Sequence, residues 1–130
     1  MENEKIKRGR AGEDMAARLL ESKGYSIIGR NWRVREGEID IIAARGDIVA
    51  FVEVKWRRND RFAAPGESVT AKKRARLRRA AAMWMAEHGE KNARFDVVEI
   101  VAGDDGGNGN GNGNGKGRDP AIRHIVGAFA

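Results

Sequence analysis

A chain of 130 residues suits one domain with a sizeable core, and 41% hydrophobic with 34% charged residues is the balance of a globular protein rather than a disordered one. Lysine and arginine outnumber aspartate and glutamate 25 to 19, a net +6, which favours a polyanionic partner: nucleic acid first, an anionic membrane surface second. Cysteine is absent, which excludes disulfides and thiolate metal sites.

The opening residues, Met1-Glu2-Asn3-Glu4-Lys5, are charged, so no signal peptide is expected and the expected compartment is the cytoplasm. From Lys5 to Lys23 the apolar residues Met15, Ala16, Leu19 and Leu20 recur at helical spacing, and Gly24 follows as a helix stop. Tyr25 to Asn31 reads as a short strand, and Gly37 punctuates the chain after it. Glu38 to Arg45 and Ile48 to Trp56 are both rich in Ile, Val and Phe, with Gly46-Asp47 between them. That pattern is a β-hairpin with a two-residue turn. A polar loop follows Trp56. Ser68 or Thr70 can then cap a second helix that runs to about His88, where Gly89 ends it. Phe95 to Val101 reads as a strand, residues 103–118 as a flexible Gly/Asn-rich loop, and Ile122 to Phe129 as a last strand. The expected fold class is α/β: one domain, 1–130, with two main helices on a mixed sheet of about five strands in the order α-β-β-β-α-β-β. No apolar run approaches the ~20 residues needed to span a bilayer. The two histidines, His88 and His124, stand too far apart in sequence to suggest a zinc site.

The hairpin is the informative element. With a two-residue turn, Arg45 faces Ile48, Asp40 faces Glu53 and Glu38 faces Lys55. Side chains alternate across a strand, so one face carries Glu38, Asp40, Ile42, Val49, Phe51, Glu53 and Lys55. The other carries Ile39, Ile41, Ala43, Ala50, Val52, Val54 and Trp56, an ordinary core face. Directly opposed carboxylates repel, and a divalent cation between them removes the repulsion. Mg²⁺ takes oxygen ligands, one or two of them protein carboxylates. Lys55 points to the same side, where an ammonium can polarise water or offset phosphate charge. A solvated half-exposed strand would show the same alternation, so on these residues alone the two readings stand side by side.

Two helical residues break pattern. Glu13 falls on the edge of the first helix's apolar stripe, and Lys73 falls inside that of the second, among Val69, Leu77, Ala80 and Trp84, at ~100° per residue. Glu13 serves equally as an acid near a helix start, and on wheel position alone snorkelling accounts better for Lys73. Lys72, Lys73, Arg74, Arg76, Arg78 and Arg79 wrap the second helix, which makes either a solvated basic face or a grip on a phosphate backbone. Arg57, Arg58 and Arg61 extend the patch.

Gly37-Glu38-Ile39-Asp40 followed by Phe51-Val52-Glu53-Val54-Lys55 resembles the PD-(D/E)xK nuclease core. More narrowly, it resembles the YraN family of small bacterial proteins, which is similar to archaeal Holliday junction resolvases. Gly12-Glu13, Gly24-Tyr25, Arg30-Asn31, Val69-Thr70 with Lys73, and Arg94-Phe95-Asp96-Val97-Val98 support the resemblance over about Arg8 to Val101. It departs at Phe62-Ala63, where Phe-Gly is frequent, and in the lengthened Gly/Asn tract. The resemblance implies a restriction-endonuclease-like core. Asp40 and Glu53, with the Val54 carbonyl, would be ligands of Mg²⁺ or Mn²⁺, and Lys55 the catalytic lysine. Glu13 and Lys73 would complete the site. Lys72, Arg74, Arg76, Arg79, Arg57 and Arg58 are the expected nucleic-acid contacts. The expected function is a metal-dependent endonuclease acting on DNA, including branched DNA, and resolvases act as two-fold homodimers. The alternatives are a non-catalytic nucleic-acid-binding protein that keeps the fold, and a module whose basic helix docks an acidic protein. Divalent-ion binding separates the enzyme from both; salt-dependent DNA affinity separates the two binders.

Overall fold

The computed structural model describes residues 4–57, 69–101 and 120–130, with the side chains of the first helix described from Gly9 onward. The elements are α1 (Glu4–Ser22), β1 (Ser26–Val34), β2 (Gly37–Arg45), β3 (Ile48–Arg57), α2 (Ala71–His88), β4 (Asn92–Val101) and β5 (Ala121–Phe129). This is the expected α-β-β-β-α-β-β order. The strands form one mixed sheet in the order β1-β2-β3-β4-β5. Only the β3–β4 pair is parallel, because only there does a helix, α2, carry the chain back across the sheet. The Gly/Asn tract at 103–118, Ser68, and Arg58, Arg61 and Phe62-Ala63 lie outside the described residues. No helix among the described residues is long and apolar enough to cross a membrane.

Local signals place the boundaries. Gly24 adopts φ +93°, which lets the Tyr25 N–H return to the Leu20 carbonyl at 3.0 Å and closes α1. Gly46 at φ +61° makes the tight turn that sets Arg45 opposite Ile48. Thr70 caps α2, its hydroxyl accepting from the Lys73 N–H at 3.2 Å.

One core lies on each face of the sheet. Ala16, Ala17 and Leu20 of α1 pack on Tyr25, Ile41, Ala43, Ala50, Val52, Val98 and Ile100. Leu77, Ala80, Ala81 and Trp84 of α2 pack on Ile39, Ile42, Val49 and Phe51. Strand β3 therefore buries both of its faces, and this pins it between the helices. Phe51 is fully buried and meets Trp84 edge-on with centroids 5.6 Å apart, a contact worth about 2–3 kcal/mol with its area burial.

Ile39 departs from the strict alternation. It was expected beside Ile41 and Ala43, but it packs in the α2 cluster with Ile42. The β2–β3 ladder runs from Arg45↔Ile48 to Ile41↔Val52 and stops there. One residue further, the Asp40 Oδ2 accepts the Val54 N–H at 2.8 Å. A side chain has replaced the strand's own acceptor, so the backbone of β2 leaves the two-residue period at this point.

At the start of β2 the backbone of α2 comes very close. A Cβ on Gly37 would stand 2.6 Å from the Arg76 carbonyl oxygen. Gly37→Ala should therefore shift α2 off the sheet and destabilise the fold by about 1–3 kcal/mol. Urea unfolding checks this; a midpoint equal to wild type would show that the helix gives way freely.

Candidate active site

The splaying of β2 from β3 opens a cleft of ≈ 270 Å³ under α2. Its walls are Glu38 and Asp40 from β2, Glu53 from β3, and Lys73, Arg76 and Leu77 from α2. The expected pairs Asp40–Glu53 and Glu38–Lys55 are not part of the ladder, whose last pair is Ile41↔Val52; Glu38, Asp40 and Glu53 meet on the cleft wall beyond it, and the crossover from β3 to β4 lays α2 above them. Neither carboxylate that the hairpin puts here is free in solvent. Burial, then the Glu53 charge, push the Asp40 carboxyl up from 3.8 to about 7; the Val54 N–H opposes them, and the charges of Glu13 and Glu38 add. Burial also raises Glu53, against the pull of Lys73 and Lys55.

Two lysines answer this negative charge. Lys73 Nζ stands 3.9 Å from Glu53 Oε2. It reaches the cleft instead of only covering the core, although its side chain stays half exposed. Lys55 is half-buried, and its ammonium is held below the usual lysine range. The cause is first a hydrogen bond with Lys73, then burial and the Lys73 charge, while Glu53 and Asp40 act the other way.

Two carboxylates that repel each other in a half-buried cleft are a donor set a hard divalent cation satisfies. Asp40 Oδ2 is engaged by the Val54 amide at 2.8 Å. Among the described residues no group of three His, Asp or Glu side chains converges as a metal cage. Val54 is fixed here by its own N–H.

The family model described as "Uncharacterised protein family UPF0102" matches residues 12–100. The chain belongs to UPF0102, the YraN family. A UPF0102 protein of Symbiobacterium thermophilum is 52% identical over 100 residues, covering 75% of this chain and 85% of the relative. One from Rhodococcus jostii is 43% identical over 123 residues, covering 93% and 94%. One from Leifsonia xyli is 54% identical over 81 residues, covering 62% and 69%. Every residue lining the cleft lies inside the UPF0102 span of 12–100, whereas β5 lies beyond it.

Glu13 is not among the residues that wall this cleft. Its Oε1 accepts from Asn31 Nδ2 at 2.8 Å, and Arg30 lies 3.7 Å away. The expected phosphate contacts divide three ways. Lys72, Arg76 and Arg79 are exposed on α2. Arg74 is tied down: its Nε–H donates to the Val69 carbonyl at 2.9 Å and its guanidinium lies 5.2 Å from the Phe129 ring centre. Arg57 departs from expectation altogether. Its side chain is 7% exposed and pairs with the fully buried Glu99 at 2.9 Å, so it neutralises an internal acid instead of facing a phosphate. Lys55↔Glu99 and Arg57↔Val101 on the parallel β3–β4 ladder explain this. Glu99 comes from a strand 42 positions along the chain, and no local pattern on β3 announces it. Asn31 and Arg76 owe their places to tertiary packing as well.

Proposed function

We propose that this protein is a metal-dependent endonuclease that hydrolyses phosphodiester bonds in DNA, branched DNA included. The observation that supports it best is the cleft itself: Asp40 and Glu53 side by side under α2, with Lys73 at 3.9 Å from Glu53 and Lys55 beside Lys73. Burial and mutual charge make these two acids costly to ionise in the metal-free fold, a cost that a bound cation would offset. Asp40, Glu53 and the Val54 carbonyl would hold Mg²⁺ or Mn²⁺, which supplies charge neutralisation and an acidified water. Lys55 would act on the attacking water and the non-bridging phosphate oxygens, where its charge would stabilise the transition state more than the bound substrate. Lys73 orients Glu53 and shares the phosphate charge. Arg76 on the cleft wall, with the exposed Lys72 and Arg79 on the same helix, positions the nucleic-acid backbone without reading its sequence. The basic net charge fits this polyanionic partner. A cytoplasmic location and a two-fold dimer, as in resolvases, belong to the same reading.

The test is cleavage of a panel of branched and linear DNAs with Mg²⁺ or Mn²⁺, against a chelated control. Cleavage that depends on the ion is expected. If the wild-type protein neither cleaves any member nor binds Mn²⁺ at millimolar levels with DNA present, it is a binding protein on a nuclease-like frame. Lys55→Ala should keep metal and DNA affinity while losing turnover by about 10²-fold or more. Neutralising Arg76 and Arg79 together should weaken binding alike for many sequences. It should also flatten the plot of log affinity against log salt by about one unit per lost phosphate contact. An unchanged slope would route the DNA over another surface.

A further inference from the structure

At the end of α1, sharing no residue with the cleft, three side chains line up from the surface inward. Lys23 is exposed, and its Nζ lies 2.6 Å from His124 Nδ1. The His124 side chain is 2% exposed, and its Nε2 lies 2.8 Å from Oδ2 of the fully buried Asp96. An ammonium only donates, so His124 Nδ1 accepts from Lys23 and Nε2–H donates to the carboxylate. The imidazole is thus neutral, oriented by an acid behind it, with its free lone pair turned to an amine in front. In that arrangement a histidine serves as general base for a neighbouring nucleophile. Arg94 binds both Asp96 and the Tyr25 hydroxyl, which fixes the acid in place. Tyr25 meets the His124 ring edge-on with centroids 6.1 Å apart. The exposed Arg45 donates to the Lys23 carbonyl at 3.1 Å and brings a second positive charge to the same surface. None of these groups takes part in the proposed hydrolysis, and His124 lies on β5, outside the 12–100 span of the family.

We infer that Lys23 is an acylation site, a nucleophilic amine served by the His124–Asp96 dyad, with a small acyl phosphate as the acyl donor. The Lys23 ammonium passes a proton to His124 Nδ1, and Asp96 holds the imidazolium that results. The freed lone pair on Nζ attacks the acyl carbon. An N–C bond forms, and the C–O bond to phosphate breaks with its electron pair leaving on the phosphate. Of the two protons that Nζ gives up, His124 returns one to water and the phosphate takes the other. Asp96 acts through His124 and is a positioning residue. Arg45, beside Lys23, draws the negative charge of the donor. The product amide keeps one N–H for His124 Nδ1, so the network survives while the surface loses one positive charge.

The probe is acetyl phosphate applied to the full chain, with acetylation at each lysine followed in time by peptide mass spectrometry. Lys72 and Lys91 are exposed and serve as internal references. A positioned general base contributes about 10²-fold or more, so Lys23 is expected to react at least about tenfold faster than either reference. His124→Gln fills the space of the imidazole but takes no proton, and should bring Lys23 down to the reference rate, with folding checked by circular dichroism. Arg45→Gln leaves the buried network in place and serves if His124→Gln does not fold. It should slow Lys23 with acetyl phosphate and leave its rate with an uncharged acetyl ester unchanged. Equal rates at Lys23, Lys72 and Lys91 in wild type overturn the proposal. So does a Lys23 advantage that persists in folded His124→Gln, because exposure alone would then explain it. Arg45→Gln that reacts at the wild-type rate with both reagents overturns the acyl phosphate as the donor class.

Discussion

Asp40→Asn is expected to abolish divalent-ion binding and DNA cleavage while making the metal-free protein more stable. The two effects have one origin. Asp40 sits in a cleft where burial and the Glu53 charge oppose its ionisation, so its carboxyl holds a proton up to about pH 7 instead of 3.8. A group with a raised pKa in the folded state binds more protons there than in the unfolded chain. Its contribution to stability is complete below about pH 4 and is lost as pH rises through about 7. Metal-free wild type should therefore lose on the order of 2–4 kcal/mol from this group between those limits. Asparagine is neutral throughout and can still accept the Val54 N–H, so the variant should show no such slope. Saturating Mn²⁺ should remove the slope in wild type by occupying the site that repulsion leaves open. Glu53→Gln should likewise lose cleavage, with each variant down by at least about 10³-fold, or about 4 kcal/mol of barrier. Chemical denaturation across pH 4 to 8 in chelator, beside calorimetric Mn²⁺ titration, reads both consequences. A flat wild-type profile would mean that Asp40 carries its charge at no penalty, and the argument for an ion there would lose its physical basis.

Asp96→Ala is expected to damage stability more than any substitution at the cleft. Asp96 is fully buried, and every lone pair it turns inward is used. Arg94 reaches it through Nε at 2.9 Å and a second nitrogen at 2.8 Å, His124 Nε2 lies at 2.8 Å, and the Gly127 N–H donates at 3.0 Å. Burial alone would raise this carboxyl. The hydrogen bonds from His124, Arg94 and the Gly127 amide overcome it and hold the group far below the usual carboxylate range. The Lys23 ammonium lies 2.6 Å from His124 Nδ1, which assigns that nitrogen as the acceptor and leaves Nε2 to donate to Asp96. Arg94 also meets the Tyr25 hydroxyl, so the network ties β4 and β5 to the end of α1. Removing the carboxylate strands a guanidinium and a buried imidazole, at about 3–5 kcal/mol. For a chain of this size that lowers Tm by more than about 10 °C. The pH sign is opposite to that of Asp40: a depressed pKa stabilises above the unfolded value near 4 and is lost on further acidification. A Tm within a few degrees of wild type would show that water replaces the carboxylate. The network does not touch the cleft, so divalent-ion affinity below the melting point should survive.

Much of this molecule is legible before any coordinates. Helical periodicity around Leu20 and Leu77, the stops at Gly24 and Gly89, and the Gly46-Asp47 turn are local signals, because each depends on residues within one turn of chain. The inner hairpin register, Arg45↔Ile48 to Ile41↔Val52, follows from that turn by counting, but it ends before the expected Asp40–Glu53 pair, and the cleft that both line lies beyond the ladder. On β2 strict alternation fails beside Asp40, whose carboxylate accepts the Val54 N–H, and there Ile39 changes clusters. Long-range pairing decided the rest. The parallel β3–β4 register delivers Glu99 to Arg57 and so removes Arg57 from the basic surface. The height of α2 over Gly37 decides that Lys73 and Arg76 enter the cleft rather than lie along the core. The pairing of β1 with β2 decides that Asn31, expected only as the end of a short strand, stands across from Asp40 with its amide on Glu13. Charge type and periodicity are properties of a segment, whereas the partner of a buried charge is a property of the packed chain.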